Sequence, residues 1–330
     1  GGLLTNSTIR FYLQQGNPGE LALIYLTNGL SGNVAFRPNE NAGVVDILTA
    51  RGKYNYNALQ FEIRKRFTDG LAFQANYSFS KTLSDIASDA QTRFDPLLDN
   101  AQPGLEYARA DYDRTHTINI NANYELPFGK GKAFLNDNAI VDKIFGGWQL
   151  TSIINISSGT PISIKDINGT LNRTGRSNRQ TAVTNLSGDE LRALTGLFFQ
   201  PDGTIYYIDP SVIAPDGSAT GGNVLSTADP NFTGQVFFRN QPGQTSSLGR
   251  NILSGPWYYN VDAGIIKNIK FGERYNIQLR GEAFNVFNKT NFFIGENSGI
   301  FDIDTGSFGI VSTGSTYSPR IMQFAFRFEF

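Results

Sequence analysis

Thr117-Ile-Asn-Ile-Asn-Ala-Asn-Tyr-Glu-Leu126 is the stretch whose reading decides the fold. In an extended chain, Ile118, Ile120, Ala122, Tyr124 and Leu126 fall on one side, and Asn119, Asn121, Asn123 and Glu125 on the other. A period of two with one polar face marks a strand that is wet on one side only.

The pattern recurs outward from this segment. Tyr56 to Phe67 sets Leu59, Phe61 and Ile63 against Gln60, Glu62, Arg64 and Arg66. Leu71 to Phe79 sets Leu71, Phe73, Ala75, Tyr77 and Phe79 against Gln74, Asn76 and Ser78. The last segment sets Met322, Phe324, Phe326, Phe328 and Phe330 against Gln323, Ala325, Arg327 and Glu329. These runs exceed the usual globular strand of about five or six residues. They match the roughly nine to eleven residues that a tilted strand needs to cross a bilayer.

The connections sort by length. Gln15 to Gly19, Thr68-Asp69-Gly70 and Gly272 to Arg274 are short, and Phe128 to Gly147 is intermediate. Asn28 to Lys53, Lys81 to Arg114, Thr160 to Pro256 and Lys289 to Pro319 are long. Membrane barrels of bacteria have short periplasmic turns and long outer loops, and a soluble sandwich has no reason to sort them so. The expected fold is an all-β, antiparallel transmembrane β-barrel segment. Nine strands are expected, at 8-14, 20-27, 54-67, 70-80, 115-127, 147-159, 257-271, 275-287 and 320-330, with a long extracellular loop at about 160-256. A last strand ending in the periplasm makes the first of nine run downward too. An odd count is atypical of single-chain bacterial barrels, so further strands are expected upstream or on another chain.

Composition agrees. The chain has 330 residues, 17% charged and 13% aromatic, with 35 glycines, which suits pleated faces and turns. A net charge of -1 gives no pointer to nucleic acid or to an anionic surface. The absence of cysteine excludes disulfides, thiol catalysis and Cys-based metal sites. Gly1-Gly2-Leu3-Leu4 opens without methionine or a signal peptide, and Met322 is the lone methionine, so processing or truncation is expected to have made this N-terminus. No apolar run is long enough for a transmembrane helix.

Aromatic residues cluster where lipid headgroups would lie. Phe67, Phe128, Phe145, Trp148, Phe271, Tyr275 and Phe330 are near the short turns. Tyr54, Phe79, Trp257, Tyr258, Tyr259 and Phe287 are among those near the long loops. Lys65 and Lys267 interrupt apolar faces close to a periplasmic turn, where they are expected to snorkel. In 275-287 the apolar face switches between Leu279 and Phe284, which a bulge near Glu282 would explain.

Several motifs resemble TonB-dependent outer-membrane receptors of the Oar-like kind. They are Tyr54-Asn-Tyr-Asn-Ala-Leu-Gln-Phe-Glu-Ile-Arg-Lys-Arg-Phe67, Tyr77-Ser-Phe-Ser-Lys-Thr-Leu83, Ala110-Asp-Tyr-Asp-Arg-Thr-His116 and Gly146-Gly-Trp-Gln-Leu150. Ser157-Ser-Gly-Thr-Pro161, Gly281-Glu-Ala-Phe-Asn-Val-Phe-Asn288 and the ending Pro319 to Phe330 complete the set. The resemblance implies an outer-membrane location in a Gram-negative bacterium. It also implies an upstream carboxypeptidase-regulatory-like domain, a plug, and a segment that binds TonB, none of them in this chain. Implied partners are outer-membrane lipid, the remaining barrel strands and plug, and the outer-membrane assembly machinery, which would read Phe330.

Chemistry-bearing residues are few. His116, the only histidine, reads as a polar loop-end residue beside Asp111 and Asp113. Asp111-Tyr-Asp113 and Asp302-Ile-Asp304 hint at oxygen-rich cation sites, yet no calcium loop is complete and turn capping is the simpler reading. Glu62, Arg64, Arg66, Glu125, Arg280, Glu282, Arg327 and Glu329 are the candidate lumen-facing charges, expected to pair across strands, to hold a plug, or simply to be solvated. No cofactor motif and no catalytic constellation is present, so the chain is expected not to be an enzyme. In the long insert, Ser187-Gly-Asp-Glu190 signals a capped helix through Gly196, and Phe198-Phe199 with Tyr206-Tyr207 a small strand pair. Gly249-Arg250-Asn251 reads as ordinary turn chemistry.

Two functions are open at this point. One is the barrel portion of a TonB-dependent importer of a bulky solute such as an oligosaccharide, peptide or chelate. The other is a structural or adhesive surface protein whose outer loops bind partners. A soluble carbohydrate-binding sandwich stands third.

Overall fold

A computed structural model describes residues 5-14, 17-27, 50, 52-85, 98-99, 101-135, 139-166, 180-221, 232-271, 274-294, 300-311 and 316-330. Its frame is one antiparallel sheet of seven long strands. They are β1 (Tyr54–Thr68), β2 (Leu71–Ser84), β3 (His116–Glu125), β4 (Trp148–Ser157), β5 (Tyr258–Phe271), β6 (Tyr275–Phe284) and β7 (Ile321–Glu329). Each long strand pairs with the next in chain order, as in an up-and-down meander. The two-residue segment Ala108–Arg109 adds to the outer end of β2.

The register carries the alternation across the whole wall. One row runs Lys65, Phe73, Ala122, Ser152, Ala263, Ala283, Met322, all directly opposed. The adjacent row on this face runs Leu71, Tyr124, Leu150, Ile265, Gly281, Phe324. On the other face Glu62, Asn76, Asn119, Asn155 and Asn260 form a row, and Asn123, Thr151, Gly264, Glu282 and Gln323 another. A slip of one residue anywhere would carry apolar side chains to the polar face. The β1–β2 hairpin is set by Asp69 (φ 53°) and Gly70 (φ 80°), the two left-handed residues of a tight turn matched to strand twist. A Cβ on Gly70 would also lie 2.9 Å from the Glu125 carbonyl.

Among the described residues no second sheet covers the apolar face. Phe324 is 80% exposed, Ile63 63% and Phe326 66%, and Leu59, Phe61, Leu150, Ile265 and Leu279 are exposed as well. An apolar surface of that extent is covered in the working protein by lipid or another chain. A soluble sandwich would have buried it against a facing sheet.

Two expected strands are helices. Residues 8-14 lie in α1 (Ser7–Gln14) and 20-27 in α2 (Pro18–Thr27). Asn6 caps α1, its Oδ1 accepting from the Thr8 and Ile9 amides at 3.0 and 3.2 Å. Pro18 opens α2 at the first helical position, where its missing N–H costs nothing. The unbroken apolar run Leu21-Ala-Leu-Ile24 gives no period of two to oppose a helix. The described sheet therefore has seven long strands, not nine. Its first and last still run the same way. The connections expected at Asn28 to Lys53, the middle of Lys81 to Arg114, Gln15-Gly16 and Gly272 fall largely or wholly outside the described residues.

The switch of face in 275-287 needs no bulge near Glu282, because pairing of β6 is unbroken from Asn276 to Phe284, and Phe284 keeps the register and lies on the polar face opposite Ile321. Asn285 then turns left-handed (φ 51°), and the Val286 amide reaches the Val261 carbonyl at 2.8 Å, which an unbroken register would set opposite Asn285.

Ile120 lies on the apolar face, opposite Ala75 and Ile154. Ile120→Arg is expected to destabilise the folded protein in lipid by roughly 2–4 kcal/mol. Asn121→Arg, on the polar face, is expected to leave the unfolding midpoint nearly unchanged. Denaturant titration in vesicles measures both, and equal midpoints would overturn the face assignment.

Candidate functional site

The candidate site is the polar face of the sheet together with a folded body at the ends of the long connections. All eight candidate charges lie at polar-face positions of their strands, although Arg66 sits where the β1–β2 register shifts. Among the described residues no ion pair joins two of them across strands. Arg280 meets Glu282 at 3.5 Å and Arg327 meets Glu329 at 3.0 Å, each along its own strand. Cross-strand contacts are made by amides instead: Gln74 donates to Glu62 at 3.2 Å, Asn276 to Glu329 at 3.0 Å, and Gln323 to Glu282. Glu125 pairs with Lys132 of the following turn at 2.7 Å. Arg280, Glu282, Arg327 and Glu329 are thus gathered on β6 and β7. Glu62, Arg64 and Arg66 stand apart on β1, at the other edge.

At the outer end of this face, β5, β6 and the approach to β7 enclose a cavity of about 210 Å³. Tyr258, Phe284, Tyr317 and Ile321 line it, with Asn260, Asp262 and Asn291. The Tyr258 and Tyr317 rings pack at 4.7 Å. Asp262 is held in place by the Asn285 amide at 2.9 Å and the Asn260 side chain at 2.8 Å. Here aromatic faces stand beside amide and carboxylate groups on an otherwise polar wall.

The described parts of the connections at about 160-256 and 289-319 form one folded body, not two separate loops. Its core joins Ile162, Ile164, Ile208, Phe237 and Leu253 of the first to Ile303 and Phe308 of the second. Backbone bonds lace them together, Lys165 N to Phe301 O at 2.7 Å and Ala219 N to Ile303 O at 2.9 Å. Each large apolar side chain so buried stabilises the body by about 1.5–3 kcal/mol before entropy is counted. The Ser187 capping box forms as expected, and α4 (Gly188–Ala193) ends before Gly196, because Thr195–Phe199 turns into a strand pairing with Ile205–Ile208.

Arg250 holds this body to the preceding outer connection. Its guanidinium meets Glu106 at 3.0 Å and Asp111 at 3.2 Å, with all three side chains at most 7% exposed. Asn251, left-handed at φ 56°, donates to Asp111 at 2.6 Å and to the Arg109 carbonyl at 2.7 Å. Arg109 pairs in turn with Asp113 at 3.0 Å. The Gly249-Arg250-Asn251 turn is therefore a buried polar junction and not ordinary turn chemistry; only the basic residue inside a turn tripeptide hinted at it. Burial pushes the Glu106 carboxyl upward against the opposing pull of the Leu98 amide and Arg250.

The cation-site hints resolve differently. Asp111 and Asp113 are taken by arginine, and Asp304 accepts from Arg239 at 2.9 Å. Asp302 accepts from the Asp304 amide, as a turn cap does. Among the described residues no group of three or more potential metal ligands gathers. His116 is not merely a polar loop end. It joins the outer aromatic band, its Nδ1 2.9 Å from the Tyr77 hydroxyl and its ring stacked on Trp257 at 5.6 Å.

A family model described as "Outer membrane beta barrel domain" matches residues 4–323. The chain belongs to that family. No curated protein and no solved structure matches it. The barrel domain lies in the outer membrane of a Gram-negative bacterium, so its exposed apolar face meets lipid, its long connections face outward and its tight turns face the periplasm. No described helix is long and apolar enough to cross a membrane.

Arg250→Met is expected to destabilise the outer body by about 3–5 kcal/mol, because it leaves Glu106 and Asp111 buried without their cation. Glu106→Gln is expected to cost distinctly less; protease resistance of the outer body measures both, and equal losses would contradict the junction. The buried Tyr207 hydroxyl donates to the Ser254 carbonyl at 2.6 Å, and burial pushes it up to about 12 from 10.0. Its contribution is complete below pH 10 and is lost as pH rises toward 12, a change on the order of 2 kcal/mol. Tyr207→Phe is expected to flatten this alkaline limb, and an unaltered limb would assign it to other groups.

Proposed function

We propose that the barrel is part of a TonB-dependent receptor that imports a bulky solute. The observation that carries this is the polar face: rows of Asn, Gln, Glu and Arg run across the wall and end, at the outer rim, in the aromatic and amide cavity around Tyr258, Asp262 and Tyr317. A wall that only anchors outer loops needs no such lining. The motifs from Tyr54 to Phe330 that resemble Oar-like receptors support the same reading.

In this mechanism the apolar rows hold the barrel in lipid. The charges on β1, β6 and β7 contact a plug or the passing solute. The outer body receives the solute and delivers it to the rim cavity. TonB supplies the energy through the upstream plug region. The chain itself performs no bond chemistry.

The second reading, a structural or adhesive surface protein, draws on the outer body, whose own core and buried Arg250 junction give partners a rigid surface. Uptake separates the two. Cells with the intact receptor are offered labelled oligosaccharides, peptides and metal chelates, with and without TonB. Import requires that one pool enter only when both are present, and that Asp262→Ala with Tyr317→Ala reduce its entry about tenfold or more. Binding to surfaces without TonB-dependent entry would establish the adhesive reading.

Phe330 is 93% exposed at the chain end, its ring stacked on Phe328. Deleting it is expected to lower the amount of barrel in the outer membrane, measured by fractionation. Undiminished levels would remove its role as an assembly signal.

A further inference from the structure

The turn from Phe128 to Gly147 is the longest periplasmic connection, and it carries α3 (Ala139–Phe145). This helix shows solvent a strongly apolar side, with Ile140 70% exposed, Ile144 56% and Phe145 51%. A turn placed freely in the periplasm would have no use for that surface.

Its attachments show on which side of the wall it lies. Trp148 and Lys267 are opposed in register on the apolar, lipid-facing side, and Phe271 shares that side. All three hold α3. Trp148 Nε1 donates to the Ile144 carbonyl at 3.0 Å. Lys267 Nζ donates to the same carbonyl at 3.2 Å and to that of Gly146, and lies 5.3 Å from the centre of the Trp148 ring. Lys143 Nζ sits 5.5 Å over the Phe271 ring.

Lys267 therefore does not snorkel into water. The unpaired carbonyls at the helix end take its charge, as a helix C-terminus favours. The turn is closed by Gly129 and Gly146: a Cβ on either would lie within 3.1 Å of the other's Cα. Asp142 accepts from the Lys130 amide at 2.6 Å and fixes the start of the turn.

We propose that α3 is an interfacial anchor folded back against the lipid-facing side of the wall, with phospholipid of the periplasmic leaflet as its occupant. Two features choose lipid over a protein partner. The apolar side of α3 continues the band that already meets hydrocarbon, and exposed Lys143 stands beside it at headgroup level, where phosphate is the available anion. The anchor fixes the height of the wall in the membrane from the inner side, while the outer aromatic band fixes it from the other.

The chain has no cysteine, so a single one can carry a reporter. Ile140→Cys and, separately, Ile144→Cys are labelled with a polarity-sensitive nitrobenzoxadiazole dye. The protein is inserted into vesicles of phosphatidylethanolamine and phosphatidylglycerol. Phe324→Cys serves as the mid-wall reference and Asp202→Cys as the aqueous one. Both helix positions are expected to be quenched by lipids spin-labelled near the headgroup more than by lipids spin-labelled near the chain end. They are expected to show about threefold less iodide quenching than Asp202→Cys. Iodide quenching equal to that at Asp202→Cys, with no lipid quenching, would overturn the anchor. Lipid quenching at Phe324→Cys alongside that result would leave the barrel intact and remove the anchor alone. Should one variant fail to insert, the other reads the same face.

Discussion

Hydrocarbon offers no partner to a backbone N–H or C=O, so a membrane-spanning wall must satisfy its polar backbone through strand pairing. Everything else in this protein follows from that requirement. Continuous pairing from β1 to β7 keeps the register, and the register keeps apolar and polar rows apart over the full width. Where the pattern departs from this, the structure supplies a local remedy. Asn285 absorbs an extra residue at the outer end of β6, where the wall leaves the lipid. Lys267, the charge most at odds with an apolar face, is solvated by helix-end carbonyls and an indole ring.

Outside the bilayer the constraint relaxes, and a different kind of stability takes over. The outer body is built like a small soluble domain, with Phe237, Phe308 and their neighbours forming a buried apolar core. Its junction to the adjacent connection is ionic and buried, which costs desolvation and gains fixed geometry. Arg250, Glu106, Asp111 and Asn251 meet in one arrangement. This junction ties the outer body to the connection after β2.

The seven long strands and their polar faces were legible from residue period together with the lengths of the connections between them. Each of those strands is long, one-sided and bounded by turn residues. The helices at Ser7–Gln14 and Pro18–Thr27 read as strands in the sequence, because Ile9, Phe11 and Leu13 alternate with Thr8, Arg10 and Gln14 in the first, Leu21 to Ile24 is evenly apolar in the second, and the opposing signals are the small ones of Asn6 and Pro18. The eight candidate charges share the polar face of the sheet, while pairing across strands, contact with a plug and plain solvation stood open for them. Alternation assigns a side chain to a face, but it does not say whether an arginine reaches along its strand or across it. The Arg250 junction was missed for a related reason. Its two halves, Glu106 with Asp111 and Arg250 with Asn251, lie more than a hundred residues apart in sequence, and neither spacing nor composition marks them as neighbours.

The sequence by itself determined the class of fold and which side chains meet lipid, since a repeat of two has only two faces to fill. Tertiary structure alone decided that two outer connections share one core, that Arg250 is their buried link to a third, and that the short helix after β3 lies on the lipid-facing side. Those outcomes depend on contacts between segments distant in the chain, and such contacts are fixed by packing and charge pairing that no local period records.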